Sequence, residues 1–213
     1  FYWSQVPHDS SRQILVPILV TIWGGRLAWH IRQRNEGQGE DYRYAAMRQK
    51  WGPRFPWVSL ITVFWLQGLL FWVIAMPLLQ VQISRRPPGW TWLDLVGVAL
   101  FGIGFFFEAV GDLQLARFKA DPGNESKVMD QGLWRYTRHP NYFGDATLWW
   151  GFGCLALATE GSVWTVISPL LMTLLLVKVS GVALLEKGLS GSKPGYEDYV
   201  RRTSALIPWP PRD

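Results

Sequence analysis

The chain has 213 residues, enough for one domain, with 49% hydrophobic and only 17% charged residues. Trp alone counts 14, and the balance argues against an ordinary soluble globule and for a multi-span membrane protein with polar loops. The net charge of +5 comes from cations placed between apolar runs, and the chain contains no recognition module, so nucleic acid is excluded as a partner. A single cysteine, Cys154, rules out an intrachain disulfide. His8, His30 and His139 lie too far apart in sequence to suggest a metal site.

Residues 1–12 form a polar, aromatic opening. It starts at Phe1 rather than Met, which leaves room for further N-terminal spans. Residues 13–31 are the first expected span, interrupted by Gly24, Gly25 and Arg26. A charged Arg26 inside a span is a functional candidate, with snorkelling to the interface as the alternative. A polar loop follows over 32–54. Residues 57–82 are the second span, with a kink expected at Pro77. After a short turn over 84–89, residues 90–109 make the third span, opened by interfacial Trp90 and Trp92. Glu108, Asp112 and Gln114 stand at its end. The 117–131 segment is polar, with a turn at Asp121-Pro122-Gly123-Asn124. Residues 142–158 and 163–185 are the fourth and fifth spans, joined tightly at Glu160-Gly161. A short surface helix over 196–203 precedes Ile207-Pro208-Trp209-Pro210-Pro211, which lies against the membrane surface.

Each run has roughly the 17–25 residues that a helical span needs. None alternates with period two, so the expected fold is an all-α multi-span helical bundle, an integral membrane protein rather than a β-barrel. Cations concentrate in the first loop, the third loop and the tail. By the positive-inside rule these face the cytoplasm, whether the membrane is a bacterial inner membrane or the endoplasmic reticulum.

The densest polar stretch runs from Gly132 to Asp145 and leads straight into the fourth span. Pro140 suits the first turn of a helix, so Arg138 to Asn141 reads as a turn with a helix starting near Tyr142. Free N–H groups at that helix start, beside Arg138 and His139, suit an anionic ligand. Asn141 and Asp145 lie i, i+4 on one face, as do Glu108 and Asp112. Asn141 could equally be a helix cap, Asp145 a dipole partner, and the two acids structural ion-pair members.

Gly132-Leu133-Trp134, Arg138-His139-Pro140-Asn141-Tyr142-Phe143-Gly144-Asp145 and Trp149-Trp150-Gly151 resemble the steroid 5α-reductase superfamily, above all its bacterial branch. The core motif is also similar to sterol C14- and C7-reductases. More distantly it resembles isoprenylcysteine carboxyl methyltransferases and phospholipid methyltransferases, which use S-adenosylmethionine. Gly39 to Tyr44, Glu108 to Lys119 and Tyr196 to Pro208 extend the resemblance over nearly the whole chain.

The resemblance implies a membrane reductase whose cytoplasmic loops close over an NADPH site. Its substrate would be an activated carbon–carbon double bond of a steroid, sterol or other lipid. It places Asp112, Lys119 and Lys127 on the nucleotide, Asn141, Asp145 and Trp149 on the nicotinamide half, and Arg34 near a phosphate. Glu108, Arg138 and His139 complete the expected cofactor set. Tyr142 is the expected phenolic donor, with Asp145 orienting the nicotinamide or relaying a proton. One departure stands out: the position of the catalytic tyrosine of steroid 5α-reductases reads Trp23. The other readings are a methyltransferase, whose usual Glu-Glu pair here reads Glu186-Lys187, and a non-enzymatic lipid-binding membrane protein.

Overall fold

The structure is a computed structural model that describes residues 11–37, 39–84, 89–179 and 193–212. Those residues are mostly helical and form no strand beyond one isolated bridge, Thr137 with Ser204. Among the described residues, three helices are long and apolar enough to cross a membrane: Ser11–Asn35 (α1), the continuous Tyr44–Ile83, and Trp92–Ala120 (α5). The second comprises most of α2 (Tyr42–Trp51), then α3 (Phe55–Ser59) and α4 (Leu66–Ile83). A helix over Pro140–Leu157 (α6) follows, then Ile167–Leu174 (α7) within a shorter apolar helix, Val163–Lys178, and a final short helix over Tyr196–Arg202 (α8). Of the five expected spans, three thus meet the length and apolarity of a crossing helix. The expected end of the fifth, and Glu186-Lys187, lie outside the described residues.

Local chemistry explains where the helices differ from expectation. α1 runs unbroken through Gly24, Gly25 and Arg26. The helix also continues through Pro77, and the irregular turn lies instead at Leu60–Trp65, which has π geometry. Pro77 is buried, and three residues before it the Ile74 carbonyl accepts the Ser168 hydroxyl of α7 at 2.6 Å. α6 starts at Pro140, two residues before the expected start, because proline at the first helical position gives up an N–H that no carbonyl would have accepted.

α5 and α6 form the centre of the bundle. Gly97, Gly104 and Gly111 recur every seven residues on α5, and Gly144 and Gly151 do so on α6. A Cβ on Gly104 would stand 2.5 Å from the Gly144 carbonyl oxygen, and one on Gly144 would collide with the Glu108 backbone nitrogen. The two backbones touch because neither side carries a side chain, which is how helices gain packing energy where lipid offers no hydrophobic contrast. Phe101, Leu148, Trp149, Phe152, Leu155 and Ala156 fill the space around the contact, with Val16 and Val81 from α1 and α4. Trp57, Ile61, Phe64, Trp65, Phe71 and Trp72 point outward, as they would toward lipid.

Polar clamps fix the ends. Asp94 closes a capping box with Thr91 at the start of α5. Its carboxylate also takes Arg12 in a two-point pair, Nε to Oδ1 at 2.5 Å and Nη2 to Oδ2 at 2.8 Å, with both residues buried. Gln13 and Gln82 exchange amide hydrogen bonds to each other's carbonyls at 2.9 and 3.1 Å. α1 is therefore tied to α5 and α4 at its first turn. At the opposite end of the bundle, the Tyr199 hydroxyl donates to the Trp134 carbonyl at 2.6 Å and anchors α8 beneath the 132–139 segment.

Candidate functional site

The glycine contact decides where the site forms. With Gly144 against the backbone of Glu108, Asn141 and Asp145 on α6 face Glu108 and Asp112 on α5. The Asn141 amide donates to Asp112 Oδ1 at 3.2 Å. Asp145 lies within electrostatic range of Glu108, Arg26 and Asp112. α1 supplies the rest from one face. Arg26 reaches Glu108 at 3.0 Å and Asp112 at 2.7 Å, the Trp23 indole donates to Glu108 Oε2 at 2.9 Å, and His30 Nε2 stands 3.7 Å from Asp112. Arg26 also lies over the Phe105 ring. Its guanidinium does not snorkel; it joins two helices. Ion pairing at this depth costs desolvation on both sides, and only a dense set of contacts offsets it.

Several polar atoms in this cluster are buried yet lack a well-formed hydrogen bond: Arg26 Nε, Asp145 Oδ1 and Trp149 Nε1. Trp149 is only 4% exposed, and its ring meets Trp23 edge-on at 5.7 Å. Asp145 and Trp149 are one turn apart and lie near one another without closing a bond of good geometry. Buried N–H groups and carboxylate oxygens nearly always find a partner. A donor at Arg26 Nε beside a loosely matched Trp149–Asp145 pair suits a ligand that carries both kinds of group.

The structure thus brings Glu108, Asp112, Asn141, Asp145 and Trp149 together. The other expected site residues divide. Arg138 Nη1 donates to the carbonyls of Val200 at 2.9 Å and Thr203 at 2.5 Å, so it anchors the end of α8. His139 is buried, is the residue before the first turn of α6, and stacks on Tyr142 with ring centres 5.4 Å apart. Asn141 is not the cap of that helix: its Oδ1 accepts from the next backbone N–H while its amide reaches α5. Arg34 is exposed and shares a face of α1 with Arg26 and His30, eight and four residues before it.

Lys119 lies about 10 Å beyond Asp112 along α5, at 1.5 Å per residue. There it lines an open hollow of about 480 Å³ with Phe118, Asp121, Asn124, Glu125 and Lys193. Lys127 hydrogen-bonds Asn124 at 3.2 Å, and its carbonyl accepts Lys193 Nζ at 2.7 Å. Sequence reasoning assigned no binding role to Trp23 or His30. The available signal was their spacing: Trp23, Arg26 and His30 fall at i, i+3 and i+7, a single polar stripe in an apolar helix.

Residues 1–203 match a family described as "Protein of unknown function (DUF1295)". An uncharacterised protein of Schizosaccharomyces pombe is 25% identical over 225 residues. The alignment covers 93% of this chain but spans only 64% of that protein's length. No solved structure matches.

Proposed function

The chain belongs to this family, which lies in the steroid 5α-reductase-like superfamily, and we propose that it is an NADPH-dependent membrane reductase acting on an activated double bond of a steroid, sterol or other lipid. The observation that carries the reading is the buried polar cluster between α1, α5 and α6, several of whose atoms lack a well-formed hydrogen bond. A nicotinamide carboxamide has one carbonyl and two N–H bonds. Trp149 Nε1 and Arg26 Nε are donors for that carbonyl, and Asp145 Oδ1 is an acceptor for an N–H. Asn141, on the same face as Asp145, fixes Asp112 beside them.

NADPH, when bound, supplies the hydride. The chain's own residues bind and orient: Asn141, Asp145 and Trp149 at the nicotinamide end, and Lys119 in the hollow about 10 Å along α5, within reach of a dinucleotide's phosphates. Lys127, Arg34 and His139 border the same end of the bundle. With that end cytoplasmic, by the positive-inside rule, the nucleotide arrives from the cytoplasm, and the lipid substrate enters sideways between helices. Trp23 has no hydroxyl and is committed to Glu108, so a phenol at that position does not polarise the substrate here.

Thermal unfolding of the purified protein tests the reading. NADPH raises the melting temperature and S-adenosylmethionine does not, because a ligand that binds only the native state stabilises it by mass action. The opposite ranking makes the chain a methyltransferase. No response to either makes it a lipid-binding protein.

A further inference from the structure

One polar side chain on the outside of the bundle has nothing to bind. Gln67 lies on the continuous Tyr44–Ile83 helix, ten residues on from Trp57, and is exposed. At 1.5 Å per residue it stands about 15 Å in from Trp57, half of the ~30 Å hydrocarbon core, so its amide lies near the bilayer midplane. Pro77, Gln80 and Val81, the buried residues of α4, lie beyond it. Gln13, Gln80, Gln82 and Gln114 all hydrogen-bond to another segment. Exposed Thr62, on the same helix, closes its hydroxyl on the Val58 carbonyl at 2.8 Å. Among the described residues, Gln67 has no such partner. An amide left unbonded in hydrocarbon is costly, and polar side chains at membrane depth mostly face protein.

Beside it, Gly68 makes a gap in a wall of rings. Phe64 and Trp65 stand one turn before it, and Phe71 and Trp72 one turn after. All four rings are at least 60% exposed. A Cβ on Gly68 would meet nothing within 4 Å, so no contact inside this chain calls for a glycine there. Lipid tails would suit the rings. They offer no hydrogen bond to the amide.

We propose that this face is where two copies of the chain pair in the membrane, with Gln67 hydrogen-bonded to Gln67 of the partner subunit. An amide both donates and accepts, so an identical amide satisfies it. Copies inserted the same way are related by a two-fold axis along the membrane normal, which brings each residue to the same depth in both. Gln67 thus meets its counterpart without a matching polar group from any other protein. Gly68 lets the two backbones approach, and small residues with polar neighbours are what associate helices in lipid. Four rings of about 150–250 Å² each, two-thirds exposed, offer on the order of 500 Å² per copy and ~1,000 Å² across the pair, where specific interfaces begin. The pairing uses no residue of the buried polar cluster and does not depend on the NADPH reading.

Energy transfer between labelled copies of the full chain tests it. Dyes are placed at Asn124→Cys in a Cys154→Ala background, and the protein is diluted in phosphatidylcholine vesicles. The expected result is a reversible monomer–dimer equilibrium. Gln67→Leu weakens it about tenfold, Gln67→Asn keeps most of it, and Gly68→Ile weakens it as well. Gly102→Ile, on α5 and equally open, leaves it unchanged. Should the substituted chains not fold, unsubstituted copies labelled at the same site decide: no transfer at any density would overturn the proposal. Transfer that ignores both Gln67→Leu and Gly68→Ile would also overturn it, by placing the contact elsewhere. Mild oxidation in the membrane gives an independent reading. Gly68→Cys joins two copies and Gly102→Cys does not; the reverse would contradict the assigned face.

Discussion

A methyl group on Gly144 tests how the site is built. A Cβ there stands against the Glu108 nitrogen and 2.5 Å from the Gly104 carbonyl oxygen. Ordinary contact with such atoms needs roughly 3.5 Å, so α5 and α6 must move apart by about 1 Å. Both neighbours are backbone, so no flexible side chain can yield. Overpacking of this kind costs about 1–3 kcal/mol. The separation also draws Asn141 off Asp112. Gly102→Ala is the matched control, on α5 with nothing within 4 Å of the added carbon. In a helix interior it gains up to about 1 kcal/mol from glycine's poor propensity. Thermal unfolding of the two variants in one detergent separates the cases: Gly144→Ala falls by several degrees and Gly102→Ala holds or rises. Equal effects would refute backbone contact between the two helices as the basis of the site.

Three further predictions concern other parts of the chain. Arg12→Leu strands a buried Asp94 carboxylate and costs about 3–5 kcal/mol, whereas Arg12→Leu with Asp94→Leu recovers most of it; chemical unfolding of the single and double variants decides. A cysteine at Asn124 is labelled from the cytoplasmic face in intact cells, and labelling from outside would reverse the orientation given by the loop cations. Lys119→Ala weakens NADPH more than NADH, because an ammonium beside a 2′-phosphate makes a charge-assisted contact; equal losses would remove Lys119 from that phosphate.

Much of this was legible in the chain, and the failures have physical causes. The apolar runs mark α1, the long second helix and α5, because span length and composition are local properties. The i, i+4 pairs Glu108/Asp112 and Asn141/Asp145 gave their shared faces correctly, since helix periodicity alone fixes which residues align. That the two pairs face each other was not legible. It depends on Gly104 and Gly144 meeting across helices, 40 residues apart in sequence, and on Gly111 against Pro140 and Asn141, and a glycine in an apolar run reads the same whether it faces lipid or backbone. Arg138 has a structural role that its sequence neighbourhood does not show, for a related reason: its guanidinium donates to the carbonyls of Val200 and Thr203, more than 60 residues away. Pro77 marked a kink by local rules, while the π turn at Leu60–Trp65 carries no sequence sign of comparable strength.

The central claim is that Asn141 and Asp145 hold a nicotinamide and do not merely brace α6 against α5. It is tested most directly by measuring, on Asn141→Ala and Asp145→Asn, both the melting temperature without nucleotide and the NADPH dissociation constant. If these side chains bind the cofactor, each variant stays folded, losing no more than the ~1 kcal/mol of one hydrogen bond, while NADPH affinity drops about tenfold or more, ~1.4 kcal/mol. Lost stability with unchanged NADPH affinity would contradict the account.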